Sequence, residues 1–411
     1  MKSFLASILA PLLSIAFLML SIGYFLTFIS LRIAYEGGSD FVIGAVQSAF
    51  YAGMLIGAMR IERMVRRIGH IRTFAAFACV NTISILVQAL WYQPILWFLC
   101  RFAGGVAAAA SYVVIESWLL SKSTVATRGR ILSFYMIALY ASQSISQFIL
   151  KLFHISDITP FLISAALASL CAIPLAITYS PSPKPEEPSV ASFFNLLKES
   201  PFGFMGCVVG GLILSAIYAF APIFAAETGL PVPFAMFLTI AGGFLLQWPI
   251  GHFSDIFDRR RVLMLTATAV LIPCAGILFT PNWAILNLAF LFLLGGLTFT
   301  LYPLGITHVC DRVQPHDITA ATGVLLVAYG IGASTGAMIC SPFVEYFHIA
   351  ALFAYIGVCA LILAGFGLYS MIRRPIVPLE DQNPYVLLPR ATQVAYELDP
   401  RANPTEEEDK S

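Results

Sequence analysis

Runs of roughly twenty apolar residues, separated by short polar turns, recur along the whole chain. A bilayer core takes about 20 apolar residues per helix, and on that template twelve spans fit: 8–30, 42–60, 72–91, 94–120, 130–150, 158–179, 202–226, 233–252, 262–280, 284–308, 318–341 and 348–371. The first apolar run, Phe4 to Leu31, exceeds the roughly 7–15 residues of a signal-peptide core and is read as a retained span. Between the sixth and seventh spans lies Ser180 to Ser200, which carries four prolines with Lys184, Glu186, Glu187 and Lys198. It divides the chain into an N-terminal six-helix bundle (1–180), a cytoplasmic linker (181–200) and a C-terminal six-helix bundle (201–373). Residues 374–411 turn polar and end in Glu406-Glu407-Glu408-Asp409, which predicts a disordered, solvated cytoplasmic tail.

The polar turns are not alike. Gly251 closes one apolar run; Asp255, Asp258, Arg259, Arg260 and Arg261 follow, and the next run starts at Val262. A partial copy occurs earlier, as Gly57, Glu62, Arg63, Arg66, Arg67, Gly69 and Arg72; an offset of 194 maps Gly57 onto Gly251, Arg66 onto Arg260 and Arg67 onto Arg261. The same offset pairs Tyr24 with Tyr218, and one of 191 pairs Gly104-Gly105 with Gly295-Gly296. With both termini inside, every Lys and Arg except Arg32, Lys151 and the intramembrane Arg101 falls on the cytoplasmic side, as the positive-inside rule requires. Matched helices then run in the same direction, a parallel repeat about an axis along the membrane normal. The expected fold is an all-α polytopic membrane protein with twelve transmembrane helices in two parallel six-helix repeats.

Composition narrows the function classes. The chain is 59% hydrophobic and 11% charged, against about 25% charged in soluble domains. There is no basic domain, so a nucleic-acid partner is excluded, and the net charge of +1 says little about others. Seven of the eight cysteines (Cys79, Cys100, Cys171, Cys207, Cys274, Cys340, Cys359) lie in apolar runs without a Cys-x-x-Cys pairing. They read as small hydrophobes, and neither disulfide, metal site nor cofactor is expected.

Twelve spans in two halves, with Gly-x-x-x-Asp-x-x-Asp-Arg-Arg-Arg after span eight, resemble the major facilitator superfamily over about residues 4 to 375. The hairpin after span two is similar to that superfamily's signature loop, with Ile61 where the acid is expected and Glu62 one place later. Arg101-x-x-x-Gly105 resembles its second motif. The antiporter signature of span five is absent, since Ile131 to Leu150 holds no glycine or proline. Arg66 to Arg72 and Glu116-Ser-Trp-Leu119 resemble the YcaD-like bacterial branch. The resemblance implies two bundles rocking about a central cavity in the bacterial inner membrane, a small-molecule substrate, protons as the coupling ion and a monomeric chain in the lipid bilayer.

Charges within spans are the informative ones, because each costs roughly 2.5–3.5 kcal/mol at a helix centre on insertion scales. Arg101 and Glu116 lie well inside span four. At 3.6 residues per turn, Tyr112 and Glu116 fall within about 60° of Arg101, so one face could carry all three. Arg101 is a candidate positive site for an anionic substrate group or for a carboxylate on another helix, or it snorkels from the external end or caps backbone carbonyls. Glu116 is a candidate proton-coupling group, or a gate partner of Arg128 or Arg130. Gly57, Arg66, Arg67, Gly251, Asp255, Arg259, Arg260 and Arg261 form a candidate cytoplasmic gate. By the resemblance, Asp255 would face Gly129 and Arg130, and Arg66 and Arg67 would face Asp317, contacts that exist only when the cytoplasmic side is closed; topology alone also accounts for the arginines. Tyr24, Tyr112, Gln143, Tyr218, Gln247 and Tyr302 are cavity candidates, against the reading that such groups bond a neighbouring helix. His308 reads as structural. No clustered His, Asp or Glu suggests an enzyme. The expectation is a proton-coupled transporter; a drug-type efflux antiporter or a non-transporting sensor or scaffold on the same fold are the alternatives.

Overall fold

The computed structural model describes residues 2–177, 200–314, 317–373, 377–378, 380 and 382–402. Residues 181–199 of the expected linker and the acidic run 406–409 lie outside them. Among the described residues twelve long helical segments form: α1 (Lys2–Tyr35), α2 (Asp40–Ile68), α3 (His70–Leu90), α4 (Pro94–Ser121), α5 (Arg128–Ser146), α6 (Thr159–Ala176), α7 (Pro201–Glu227), α8 (Val232–Ile256), α9 (Arg259–Phe279), α10 (Ala284–Cys310), α11 (Ile318–Phe347) and α12 (Ala351–Arg373). Helices are the outcome physics favours, because backbone groups in hydrocarbon have to be bonded within their own segment. Eleven of the twelve are long and apolar enough to cross a membrane. The other, α5, is the most polar. It is continued by 3-10 turns (Gln147–Leu152) and held by side-chain bonds. Gln147 accepts from Thr27 Oγ1 at 2.8 Å and donates to the Gly23 carbonyl at 2.9 Å.

Three helices are interrupted, at Cys171, Leu246 and Val270. Each break lies three residues ahead of a proline: Pro174, Pro249 and Pro273. Proline offers no N–H to the carbonyl four residues back, and its ring crowds that carbonyl. Pro222 and Pro303, by contrast, sit inside unbroken helices.

Spans two and three differ from expectation. The helix of α2 runs on to Ile68 and α3 begins at His70, so Glu62, Arg63, Arg66 and Arg67 stand on the end of a helix rather than in a loop. Gly69 alone makes the turn, at φ +89°, a backbone region that favours glycine.

The repeat is carried by close helix contacts. A Cβ at Gly53 would run into the Phe102 carbonyl, and one at Gly105 into the Phe50 carbonyl, so α2 and α4 meet backbone to backbone. In the second half Gly242 meets the Phe292 carbonyl and Gly295 the Thr239 carbonyl, which joins α8 to α10 in the same way. Small residues that let backbones approach are the usual glue where lipid removes the hydrophobic drive. The packing equivalent of Gly105 is therefore Gly295, one residue from the 191 offset. Gly57 and Gly251 are not packing equivalents either: Gly57 lies on Val106 and Ala109 of α4, Gly251 on the Tyr385 ring.

The end of the bundle bearing Arg66, Arg67 and Arg259–Arg261 is the arginine-rich face; the other is the distal face. The halves touch directly toward the distal face. Gly44 of α2 lies against Ala337 and Ser341 of α11, and the Met338 N–H donates to Ser48 Oγ at 3.2 Å. The Phe148 and Phe237 rings meet at 5.0 Å.

Toward the arginine-rich face the halves are bridged by the tail. Residues 382–402, expected to be disordered and solvated, instead enter the space between the halves. Leu388 is 1% exposed, and Ala395, Tyr396 and Leu398 are 0% exposed. The segment carries enough apolar groups to offset its ordering, and its buried Asp399 and Arg401 pair with each other at 2.6 Å.

The glycine contacts give a direct check. Gly105→Ala should lower stability by about 1–3 kcal/mol, the usual cost of overpacking. Gly104→Ala, whose Cβ would meet only Asn81 Oδ1 at 3.5 Å, should be neutral. Thermal unfolding of the two variants in detergent measures the difference.

Candidate functional site

The candidate residues divide into a distal cluster, a middle layer and the tail contacts. Arg101 is 4% exposed. Its guanidinium carbon sits 4.3 Å from the Phe50 ring centroid and 5.5 Å from that of Phe25. Its Nη2 reaches Gln47 Oε1 at 3.5 Å, and its Nε has no partner. Gln47 is itself fixed by donating to the Leu26 carbonyl at 2.6 Å and to Ser30 Oγ at 2.8 Å. Arg101 is thus a desolvated cation stabilised by ring faces, which attract cations, rather than by a carboxylate.

The middle layer joins the halves through side chains. Gln143 of α5 donates to the Tyr218 hydroxyl of α7 at 3.0 Å. Gln247 of α8 donates to the Tyr140 hydroxyl of α5 at 3.4 Å and to the Gly243 carbonyl at 2.5 Å. The Tyr140 and Phe244 rings stack at 5.4 Å. Four residues proposed for the cavity therefore meet across the interface or face the tail: Gln143, Tyr218, Gln247 and Tyr302. Tyr112 donates to Met19 Sδ at 3.4 Å, within the first half. Tyr24 belongs elsewhere. Its hydroxyl donates to the Pro160 carbonyl at 2.5 Å, and it lines a separate cavity of about 290 Å³ with Phe28, Phe153, His154 and Pro233. The equivalence of Tyr24 and Tyr218 in sequence does not give them equivalent surroundings: Tyr24 bonds the Pro160 carbonyl of α6, and Tyr218 accepts from Gln143 of α5 in the other half.

Glu116 is fully buried. One carboxylate oxygen accepts from the Tyr135 hydroxyl at 2.6 Å, the other from the Thr392 hydroxyl of the tail. Arg101 and Glu116 share α4 but keep different company: Phe25, Phe50 and Gln47 around the cation, Tyr135 and the tail around the acid.

The tail is also held by α10 and α11. The Arg390 guanidinium donates to the Phe299 carbonyl and lies 4.8, 5.9 and 5.7 Å from the Phe299, Tyr302 and Tyr329 ring centroids. The hydroxyls of Tyr302 and Tyr396 are hydrogen-bonded to each other.

At the arginine-rich face, where the tail stands between the halves, the charged groups are met by contacts within each half and to the tail; the contacts expected between halves belong to a closed face. Arg259, with a side chain 1% exposed, donates through Nη1 to both Asp311 oxygens at 2.6 and 2.7 Å. Its Nη2 reaches Asp255 at 2.9 Å and the Asn383 carbonyl at 2.8 Å. Asp255 also accepts from the Tyr385 N–H at 2.8 Å. Arg66 pairs with Glu62 on its own helix at 2.8 Å and Arg67 is exposed. Arg260 pairs with Asp258 at 3.3 Å, and Arg261, 63% exposed, lies 3.7 Å from the same acid. Burial pushes the Asp311 carboxyl above the ordinary carboxylate range, while the Arg259 guanidinium and the Asn383 N–H draw it back.

Sequence reasoning missed Gln47, Tyr135, Tyr140, Tyr329, Asp311 and all of the tail. For the tail a signal existed: Val386, Leu387, Leu388, Val394, Tyr396 and Leu398 punctuated by Pro384, Pro389 and Pro400 is too apolar a pattern for a solvated segment.

The chain belongs to the major facilitator superfamily, whose family model matches residues 12–246 and 232–391. Over 364 residues it is 27% identical to the uncharacterized MFS-type transporter YcaD of Escherichia coli O45:K1 (strain S88), covering 87% of this chain and 94% of the relative. Two solved structures share the fold. The nucleoside transporter NupG superposes with a TM-score of 0.75 at 16% identity, over 90% of this chain and 99% of its own. A bacterial homolog of the human lysosomal transporter Spinster, in an inward-facing and occupied conformation, superposes with a TM-score of 0.73 at 13% identity, over 92% and 97%.

The buried arginine cluster is testable without a substrate. Arg259→Ala leaves Asp311 as an uncompensated buried charge and should cost about 3–5 kcal/mol. Arg261→Ala, at an exposed position, should cost no more than about 1 kcal/mol. Denaturant or thermal unfolding of the purified variants separates the two.

Proposed function

We propose that the chain is a secondary active transporter that moves a small solute across a bacterial inner membrane by alternating access, coupled to protons through Glu116, with both termini cytoplasmic. The observation that carries this reading is the fully buried Glu116, on the helix facing the space between the halves, bonded by the Tyr135 and Thr392 hydroxyls. An ionisable group at membrane depth is by default a functional site. A carboxyl there, served by hydroxyls that can rotate, takes up or releases a proton as the halves move and its surroundings change.

Direct contacts near the distal face and their replacement by the tail at the other face support the alternating-access part. The contacts of α2 with α11 have to open, and the arginine-rich ends have to approach, for the pathway to reach the other side. Each side's contacts then bias a two-state equilibrium that a solute shifts by binding one state better.

The test begins with ligands that raise the unfolding temperature of the purified protein, since binding to the folded state stabilises it. Those ligands are then offered to vesicles containing the protein and a trapped pH dye. Solute-dependent acidification of the lumen is expected under an inward proton gradient. Glu116→Gln should abolish it while leaving exchange of labelled for unlabelled solute intact. A Glu116→Gln variant that still couples solute to proton entry would refute the assignment of the coupling group, and no solute movement for any stabilising ligand would refute the transporter.

A further inference from the structure

The tail contacts have a chemistry of their own. Phe299 and Tyr302 lie on α10 and Tyr329 on α11, so the three rings and the Phe299 carbonyl belong to the helix bundle and not to the segment they hold. The cation they surround, Arg390, takes part in none of the ion pairs among the described residues. Its charge is met by ring faces, the Phe299 carbonyl and the Tyr329 hydroxyl, and ring faces of this kind are how proteins recognise organic cations. Two positions on, Thr392 caps the Glu116 carboxylate. Four further on, Tyr396 meets Tyr302. At the mouth, Asn383 and Tyr385 are tied to Asp311 and Asp255 by N–H bonds of 3.0 and 2.8 Å. One short segment therefore occupies the aromatic wall, the buried acid and the charged rim at once. It also stands between the ends of the two halves that alternating access has to bring together.

We propose that the wall formed by Phe299, Tyr302 and Tyr329 is a subsite for a guanidinium or similar organic cation, and that the segment 382–402 occupies it through Arg390 as an intramolecular competitor. The inference rests on the reading of this space as the transport pathway. While Arg390 is in place, a cationic solute has no access to the rings, and the arginine-rich ends of the halves are held apart. Withdrawal of the segment exposes the rings and Glu116 together, and a solute that carries a positive charge meets both. The segment's fully buried ions, Asp399 and Arg401, neutralise each other, so entry of the segment brings Arg390, which is in none of the ion pairs among the described residues, into the wall.

The test uses the full chain without its native cysteines, with one cysteine placed at Ala395, which is 0% exposed. Labelling by a membrane-impermeant maleimide in opened membranes reads how often the segment leaves. Labelling at Ala395 should be at least about tenfold slower than at an exposed control, Pro400→Cys, because a buried site reacts only through the open population. Adding Arg390→Ala should remove most of that protection. Ethylguanidinium, which restores the missing group, should bring the protection back, whereas ethylurea, of the same shape and without charge, should not. Labelling at Ala395 as fast as at Pro400 in the otherwise unaltered chain would overturn the occupancy of the wall by the tail. Rescue by both compounds, or by neither, would overturn the cation subsite. None of these readings depends on flux, so they can fail while solute transport is seen, and the reverse.

Discussion

Charge placed away from water has to be met by the protein, and this requirement organises the molecule. Arg259 is met by Asp311 and Asp255, Arg101 by the Phe25 and Phe50 rings and Gln47, Glu116 by Tyr135 and Thr392. Each solution ties two segments that sequence separates widely. The Arg259 cluster joins the end of α8, the start of α9, the end of α10 and the tail at one point. An ion pair of this kind is costly to break and modest in net value, so its use is positional. It fixes where the tail begins its path and leaves the interior of that path to weaker contacts.

Those weaker contacts differ between the two ends of the bundle. Near the distal face, Gly44, Ser48, Ala337 and Ser341 let α2 and α11 touch with little between them. At the arginine-rich face the equivalent space is filled by Leu388, Thr392, Tyr396 and Leu398. Backbone-to-backbone packing through Gly53 and Gly105 in one half, and Gly242 and Gly295 in the other, makes each pair of helices rigid. Relative movement is then most easily accommodated between halves, where Gln143–Tyr218 and Gln247–Tyr140 are single bonds between side chains.

The helix count, the division into halves and the membrane setting were legible in the sequence, because a bilayer imposes a length and a polarity on every span. Glu116 was legible for the same reason: a carboxylate in an apolar run stands out. The register of the repeat was not, since Gly57 and Gly251 match by identity while the packing matches Gly105 with Gly295. Partners across the interface were hidden because Tyr140, Tyr329 and Gln47 look like any other residue of an amphiphilic helix. The contacts expected between the two hairpins belong to a closed arginine-rich face; with the tail between the halves, Arg259 is met instead by Asp311 at the end of α10, an acid the charge pattern did not single out. The tail was misjudged because its acidic end dominated the reading of its composition, while the apolar residues between Val386 and Leu398 decide where it packs.

The arginine-rich ends of the two halves are kept apart by a segment of the chain itself. Spin labels at Arg67 and Arg261, both exposed and on opposite halves, measure that separation by pulsed dipolar spectroscopy. A single narrow distance is predicted for the intact chain, with a second, shorter population appearing when Arg390→Ala loosens the segment. An identical distribution in both proteins would contradict it.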